Sequence, residues 1–331
     1  MPRLTVNFLS LSMVYGLWAI VSLSGCQSQR LYKDNRLMMG TYIEVTSPYS
    51  QAPGIVFEEI ARIEGLLSRF DPASEISILN RTGSLKASLE TFEIIKKAKE
   101  FYRSTDGAFD ITVGPLMKIW GFTLHQGGAG FTDKQFRVPE QSQITSALEV
   151  VGSDKIILQE MDFVVKFEFP GMEVDLGGIA KGYSLDQAVR RLKENHIDSC
   201  LINAGGQVFC LGDKFGRPWQ IGIRDPRRKG LSGDLELSDK SVATSGDYEQ
   251  YYIADNQRYS HIIDPRRGYP ASSGVVSVTV IAEEAMTADA LATAIFVLGK
   301  KEGERLVGER FPSVEIKIIE EKDIAIRGYT R

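Results

Sequence analysis

A glycine-rich segment with one lysine, residues 175–183 (DLGGIAKGY), is the first candidate for chemistry in this sequence. Small residues let a backbone approach a ligand closely, and the free N–H groups at the start of a following helix favour an anion. A phosphate group would fit there, with Lys181 adding a positive charge. The segment matches neither a Walker loop nor the dinucleotide-binding fingerprint. A tight strand-to-helix turn without a ligand is the alternative interpretation.

A buried metal site is the second candidate, at residues 288–294 (ADALATA). Asp289 and Thr293 are four residues apart, so they share one face of a helix. The surrounding helix is almost entirely apolar, and a buried carboxylate needs a partner or a metal ion. A carboxylate and a hydroxyl, together with backbone carbonyls and phosphate oxygens, suit Mg²⁺. A helix cap or a buried hydrogen-bonded pair would explain the same residues.

His261, in residues 260–268 (SHIIDPRRG), is one of three histidines in the chain. A histidine in a loop beside acidic and basic groups can act as a general base, although a purely structural histidine is the alternative. The neighbouring Arg266 and Arg267 suit either a phosphate clamp or a solvent-facing position. The basic run that follows the strand at residues 219–226 is most simply a solvated loop.

Two further pairs are ambiguous from sequence. Phe109 is placed to stack on an aromatic ring and Asp110 to accept a hydrogen bond from a ring N–H, unless the pair forms a helix-to-loop corner with a core phenylalanine. Cys200 and Cys210 lie symmetrically about Gly205, so a hairpin there would bring them together as a disulfide, or leave them as core residues of the two strands.

The composition sets limits on these functions. The chain has 331 residues, of which 43% are hydrophobic and 25% charged, as in folded globular proteins. Its net charge of −4 argues against binding a nucleic-acid backbone. Three cysteines are too few for a disulfide scaffold or a dedicated zinc site.

The N-terminus predicts export. Arg3 precedes an uncharged apolar run over residues 6–23, which ends in the sequence LSGC at Cys26. A basic start, an apolar run and small residues indicate a secretory signal over residues 1–25, with an uncleaved membrane anchor as the alternative. The LSGC sequence resembles a bacterial lipobox, which implies that Cys26 carries lipid. Residues 26–36 then form a predicted tether, and residues 37–331 the catalytic domain.

The elements that must hold these residues are predicted from hydrophobic periodicity, turn residues and one N-cap, at Ser74 or equally at Ser77. We predict strands at 37–45 and 275–282, helices at 56–67, 89–102, 177–195 and 287–298, hairpins at 155–167 and 200–211, and a flexible loop at 127–130. Helices and strands alternate irregularly, with hairpins between them. The predicted fold class is therefore α+β, with mixed or antiparallel sheets packed against helices.

Nine segments, in this order, resemble the FAD:protein FMN transferase (ApbE) family of flavin transferases. They are residues 38–41, 68–77, 109–116, 175–183, 202–206, 221–226, 241–248, 261–265 and 286–293. Together they span nearly the whole chain after the N-terminal segment. The resemblance implies a T-fold-like architecture. It also implies an enzyme that cleaves FAD with Mg²⁺, attaches FMN to a Thr or Ser of an acceptor protein and releases AMP.

The resemblance also implies roles for particular residues. Mg²⁺ would be bound by Asp289, Thr293 and the backbone carbonyl of Gly178, and His261 would be the base for the acceptor hydroxyl. The implied FAD contacts are Met38, Phe70, Ala108, Phe109, Asp110, Asp175, Lys181 and Ile263. The implied acceptors are flavin-carrying subunits of membrane redox complexes, in the envelope of a bacterium. An FAD pyrophosphatase and a non-catalytic FAD-binding lipoprotein are the competing functions.

Overall fold

The computed structural model describes residues 30–122, 137–255 and 257–326. The predicted signal segment, the lipidation site Cys26 and the predicted loop at 127–130 lie outside these residues. From Leu31 onward, the described residues belong to one compact unit. Within the described ranges, no helix has the length and apolar character needed to cross a bilayer.

The described residues form strands of three to eight residues, apart from one pair of two-residue strands, and most of the strands are joined by hairpins. The strands are β1 Tyr32–Met38, β2 Thr41–Ser47, β3 Ser84–Lys86, β4 Ile156–Gln159, β5 Val164–Phe167, β6 Cys200–Ala204, β7 Gln207–Leu211, β8 Trp219–Arg224, β9 Leu231–Leu237, β10 Lys240–Gly246, β11 Tyr251–Ala254, β12 Gln257–Ser260, β13 Ile263–Asp264, β14 Tyr269–Pro270, β15 Val275–Ala282 and β16 Glu315–Glu320. The helices are α1 Ala52–Leu67, α2 Glu75–Thr82, α3 Leu89–Ser104, α4 Gly114–Ile119, α5 Gln141–Glu149, α6 Ala180–Glu194, α7 Ala285–Leu298, α8 Lys300–Arg310 and α9 Glu321–Ile326.

A seven-stranded sheet in the order β1-β2-β6-β7-β10-β15-β16 is the centre of the fold, and every neighbouring pair in it is antiparallel. Helix α7 packs against β10 and β15 on one face, and α1 and α6 pack together beside it. The β8–β9 hairpin covers part of the other face, where Trp219 and Ile221 meet Val208 and Val242. The α+β prediction with antiparallel sheets is confirmed.

Several local predictions are confirmed, with the expected physical cause. Ser74 is the N-cap of α2, and its hydroxyl accepts a hydrogen bond from the Ser77 N–H at 3.0 Å, so Ser77 lies inside the helix instead. The predicted apolar face of α3, at Phe92, Ile95 and Ala98, is buried. Strands β4 and β5 pair as the predicted hairpin.

The first predicted strand, at 37–45, is wrong in its extent. Met39 and Gly40 have φ of 49° and 73°, so the chain reverses there and β1 pairs with β2 as a hairpin. The tether predicted over 26–36 is therefore wrong for residues 32–36, which belong to β1. Strand β1 lies at the edge of the sheet and is largely exposed. Its polar composition thus reflects exposure to solvent and not an absence of structure.

The two cysteines are core residues and not a disulfide. In the β6–β7 hairpin Cys200 pairs with Leu211, and Leu201 pairs with Cys210. Because side chains alternate along a strand, this offset of one residue places the two thiols on opposite faces of the sheet. Both cysteines are free and buried, Cys200 against α1 and α6 and Cys210 beside Trp219.

Candidate active site

A cavity of about 410 Å³ collects most of the residues that the sequence singled out. Its wall is formed by the β1–β2 turn, the loop after α1, the segment before α4, the start of α6, strand β10 and helix α7. This volume lies within the range of small-molecule and cofactor sites. The predicted residues in its wall are Phe70, Ala108, Phe109, Asp110, Asp175, Gly178, Lys181, His261, Ile263, Asp289 and Thr293.

Met38 is the one implied FAD contact that does not line the cavity. It is the last residue of β1, and its side chain packs against the core formed by α1 and α6. The hairpin turn brings Met39 and Gly40 to the cavity instead. The Met39 N–H donates a 2.8 Å hydrogen bond to Glu64, which fixes the turn against α1.

Asp289 is held at the contact between α6 and α7. The Gly182 N–H donates to its Oδ2 at 3.0 Å, and only 6% of the residue is exposed. Gly182 permits this contact, because an added Cβ would lie 2.4 Å from the Ala285 carbonyl oxygen. Burial raises the pKa of Asp289, and Lys181 opposes that shift. A buried carboxylate of this kind is a place where a cation is stabilised.

Thr293 and Gly178 lie next to each other beside Asp289. Thr293 is one helical turn after Asp289 on α7, and a Cβ added to Gly178 would be 3.3 Å from the Thr293 Oγ1. The described residues contain no group of three or more His, Cys, Asp or Glu side chains suited to a metal. A carboxylate, a hydroxyl and a backbone carbonyl nevertheless form an all-oxygen set, which fits Mg²⁺ when substrate phosphates complete the coordination.

The charged side chains in the cavity wall are predominantly acidic. The carboxylates are Glu64, Asp110, Asp175, Glu249 and Asp289, and the cations are Arg69 and Lys181. Burial raises the pKa of Glu249 to about 7, and Asp289 adds to this while Lys181 opposes it. Burial thus favours the neutral form of Glu249, and a cation bound nearby would favour its ionised form.

His261 is fixed in one tautomer by its neighbour. Its Nδ1 lies 3.2 Å from the Gln250 carbonyl oxygen. A carbonyl can only accept, so Nδ1 carries the proton and Nε2 is left as an acceptor. Burial lowers the pKa of His261 to about 4, with Lys181 adding to this, so the ring is neutral near pH 7. The ring therefore has the form that a general base requires.

Residues 39–318 match the sequence model of the ApbE family. The chain belongs to the ApbE family. An FAD:protein FMN transferase of Klebsiella pneumoniae strain 342 is 33% identical over 305 residues, covering 90% of this chain and 92% of the relative. A protein of the same name from Treponema pallidum is 32% identical over 330 residues, covering 92% of this chain and 88% of that protein.

Solved structures of ApbE proteins share the fold. The ApbE protein of Thermotoga maritima superposes with a TM-score of 0.79 at 36% identity, covering 91% of this chain and all of that one. The flavin transferase ApbE of Vibrio cholerae gives a TM-score of 0.77 at 28% identity, covering 89% of this chain and 94% of that one. The predicted ApbE-like architecture is confirmed.

Asp110 is not a free hydrogen-bond acceptor in this ApbE chain. Its carboxylate accepts from the N–H and hydroxyl of Thr112 and from the N–H and hydroxyl of Ser153, at 2.6 to 3.2 Å. These bonds tie the segment before α4 to the turn before β4. Phe109 is 3% exposed and packs edge-on against Phe101, with ring centroids 6.0 Å apart. The pair is thus a buried corner that also forms part of the cavity wall.

The arginines singled out by sequence pair with carboxylates outside the cavity. Arg266 binds both oxygens of Asp264, at 2.9 and 3.0 Å, and its neighbour Arg267 is exposed. Arg227 binds Asp247 in the same two-point manner, at 2.7 Å. None of these three arginines lines the cavity. The alternative of a phosphate clamp at Arg266 and Arg267 is not supported by this arrangement.

Several polar residues that line the ApbE cavity were not predicted from sequence, and four of them carry a charge or a buried amide. Arg69 forms an ion pair with Asp175, and its guanidinium lies over the Phe70 ring, 5.3 Å from the centroid. The others are Glu64, Gln207 and Glu249. Each of the four lies inside a matched segment, directly beside one, or on the cavity-facing side of α1. Position next to a motif was the available signal for three of them, and only the fold reveals Glu64.

Proposed function

We propose that this chain is a Mg²⁺-dependent FAD:protein FMN transferase. It would cleave the pyrophosphate of FAD, attach FMN through a phosphoester bond to a Thr or Ser of an acceptor protein, and release AMP. The observation that carries the proposal is one cavity that contains both the Asp289, Thr293 and Gly178 oxygen set and the neutral His261. The names of the related proteins, FAD:protein FMN transferase, support it.

In the proposed reaction, His261 removes a proton from the acceptor hydroxyl. The hydroxyl oxygen forms a bond to the FMN phosphorus, the pyrophosphate P–O bond breaks, and AMP leaves with the bridging oxygen. The Thr or Ser is a weak nucleophile, so a base is needed. Nε2 of His261 is the free acceptor, because Nδ1 donates to the Gln250 carbonyl. A pKa of about 4 means that the imidazole is unprotonated at neutral pH, so Nε2 is not already occupied by a proton.

The cation would be held by Asp289, Thr293 and the carbonyl of Gly178. When bound, Mg²⁺ supplies positive charge that neutralises the pyrophosphate and the developing charge on the leaving group. Lys181, on the first turn of α6, contributes a second charge, and the N–H groups at the start of this 15-residue helix favour a phosphate. The acidic wall around them accounts for the need for a divalent ion.

The location of the reaction is also part of the proposal. The apolar run at 6–23 and the LSGC sequence at Cys26 support a lipid anchor, palmitate-bearing after processing, in a bacterial envelope. The enzyme would then face the periplasm or the cell exterior. Acceptors there would be flavin-carrying subunits of membrane redox complexes.

The test uses the chain from Gln27 with FAD, Mg²⁺ and an acceptor domain that presents a flavinylation threonine. We expect flavin fluorescence on the acceptor band of a denaturing gel, and loss of that band with EDTA. A dark acceptor with free FMN and AMP in solution would indicate an FAD pyrophosphatase. A dark acceptor with intact FAD, repeated with several acceptors, would contradict both enzymatic functions. The acceptor with its threonine changed to alanine is the control.

A further inference from the structure

A buried amide, Gln207, has an unused acceptor at the wall of the cavity. Gln207 is the first residue of β7, follows the Gly205-Gly206 turn and is 3% exposed. Its Nε2 donates to the Ala285 carbonyl oxygen at 2.8 Å. Its Oε1 has no hydrogen-bond partner among the described residues and is closed to bulk solvent. A buried polar oxygen without a hydrogen-bond partner is energetically unfavourable.

The orientation of this amide is determined by its surroundings. A flipped amide would place Oε1 against the Ala285 oxygen, so that two acceptors would meet and a hydrogen bond would be lost. The position of the Gln207 Nε2 opposite the Ala285 oxygen is therefore assigned on chemical grounds. The carbonyl side of Gln207 is the side left without a donor, and Gln207 is one of the residues that line the cavity.

Gln207 is linked directly to the helix turn that holds Asp289. The Ala285 carbonyl that accepts from Gln207 is also the carbonyl that pairs with the Asp289 N–H in the regular α7 hydrogen-bond pattern. Gly182 packs against this same carbonyl and donates its N–H to Asp289. The amide, the glycine and the carboxylate thus surround one turn of α7.

The charges around Gln207 determine which kind of bound group would best interact with its Oε1. Lys181 and Arg69 are the cationic side chains of the cavity, against five carboxylates. Arg69 is already paired with Asp175, and Lys181 bonds weakly to the Gly177 carbonyl, at 3.3 Å. A further neutral acceptor in this acidic environment suits a cation or its hydration water better than an anion.

We infer that Gln207 belongs to the outer shell of the cation site, where its Oε1 accepts a hydrogen bond from a water bound to the cation. This inference rests on the proposed function, because it assumes the cation held by Asp289, Thr293 and Gly178. Gln207 is thus a positioning residue that acts through the bound ion. Outer-shell partners typically change metal affinity 10- to 100-fold.

The test measures cation binding without turnover. Mn²⁺ serves as the probe, and electron paramagnetic resonance counts the free ion as it is titrated into the chain from Gln27 with saturating FAD and no acceptor, because substrate phosphates complete the proposed coordination. Gln207→Leu removes the oxygen, and Gln207→Glu retains an oxygen while losing the donor to Ala285. We expect the Leu variant to bind Mn²⁺ on the order of 10-fold more weakly. We expect the Glu variant to bind at least as tightly as the unchanged chain.

A purely structural role of Gln207 predicts a different pattern of Mn²⁺ affinities in the two variants. If Gln207 only supports the Ala285 carbonyl, the Glu variant loses that bond and weakens Mn²⁺ binding as much as the Leu variant does. That outcome, or wild-type affinity in the Leu variant, overturns the inference. Urea unfolding checks that each variant is folded, and the Glu variant alone still decides if the Leu variant is not. No Mn²⁺ binding by the unchanged chain, or binding that survives Asp289→Asn, would instead count against the proposed metal site.

Discussion

The cavity has two walls that are built in different ways. One wall, formed by Gly178, Asp289 and Thr293, lies where α6 and α7 pack together, and its side chains are held by the core of the domain. The other wall, formed by Arg69, Phe70 and His261, comes from loops and short strand pairs, and Phe70 is 49% exposed. The buried wall can hold a cation in fixed geometry. In the proposed reaction, this more exposed loop wall would face the polypeptide acceptor.

The largest expected effect comes from the buried wall. Asp289→Asn removes the carboxylate charge but keeps the side-chain shape and an oxygen for the Gly182 N–H. Because a metal ion supplies several kcal/mol of transition-state stabilisation, we expect FMN transfer to fall at least about 10³-fold. Transfer is measured as flavin fluorescence on the acceptor at saturating Mg²⁺.

Asp198→Asn is the matched control, because Asp198 is exposed and bonds only to Tyr49 at 2.8 Å. It should transfer FMN like the unchanged chain. Near-normal transfer by Asp289→Asn would show that the buried wall does not hold the essential cation.

The next effect belongs to the loop wall. His261→Ala removes the proposed base, so transfer should fall on the order of 10²-fold or more while FAD affinity, measured by flavin fluorescence quenching, stays within about 3-fold. The lowered pKa of about 4 also predicts that the wild-type transfer rate stays flat from pH 8 to pH 5 as far as His261 is concerned. The rate should fall only as pH drops through that value, where the ring becomes protonated.

His196→Ala is the corresponding control, because His196 is exposed at the end of α6. A loss of FAD affinity equal to the loss of transfer in His261→Ala would make His261 a binding residue and place the base elsewhere.

The two walls also differ in how far sequence could predict them. Asp289 and Thr293 were found because a four-residue spacing within one apolar helix is a local signal, and the helix formed as expected. Arg69 and Glu249 were missed because position in or beside a matched segment was the only signal that marked them, and no spacing with a second polar residue pointed to a role. They reach the cavity only through the pairing of distant segments, as in the ion pair of Arg69 with Asp175 across 106 residues.

The error in predicting the region of the β1–β2 hairpin has a related cause. Residues 32–36 were predicted to be part of a tether because the segment before the first predicted strand is polar and basic. Strand β1 is formed because its backbone pairs with β2, from Tyr32 with Ser47 to Met38 with Thr41. Backbone pairing at the edge of a sheet requires little burial of side chains, so the sequence pattern of such a strand is weak. The shift of the cavity contact from Met38 to Met39 follows from the same turn.

A smaller effect compares two glycines of the buried wall. Gly182→Ala should destabilise the fold by about 1–3 kcal/mol, because the new Cβ would lie 2.4 Å from the Ala285 oxygen and 2.6 Å from the Met286 Cα. This clash exceeds the gain of about 1 kcal/mol that alanine brings to a helix interior. Gly178→Ala meets its nearest atoms at 3.3 Å, so its change should stay within about 0.5 kcal/mol.

Urea unfolding of both variants measures the difference between these two positions. Equal stability of the two variants would mean that the contact between α6 and α7 is looser than the structure shows, and that the buried wall is not rigid.

The smallest effect is expected for Arg69 on the loop wall, whose charge would act on FAD directly and not through a bound metal ion. Arg69→Gln removes a cation from the cavity and leaves Asp175 bound only to the Gly177 N–H, at 2.8 Å. The anionic pyrophosphate of FAD then meets an additional uncompensated carboxylate. We expect the KM for FAD to rise roughly 10-fold, the scale of one lost charge-assisted hydrogen bond, with little change in kcat. Arg305→Gln is the control, because Arg305 pairs with Glu302 and Glu309 on the exposed face of α8. If Arg69→Gln lowered kcat and left KM unchanged, the loop wall would act on the transition state. The proposed division of roles between the buried wall, which holds the cation, and the loop wall, which faces the acceptor, would then be wrong.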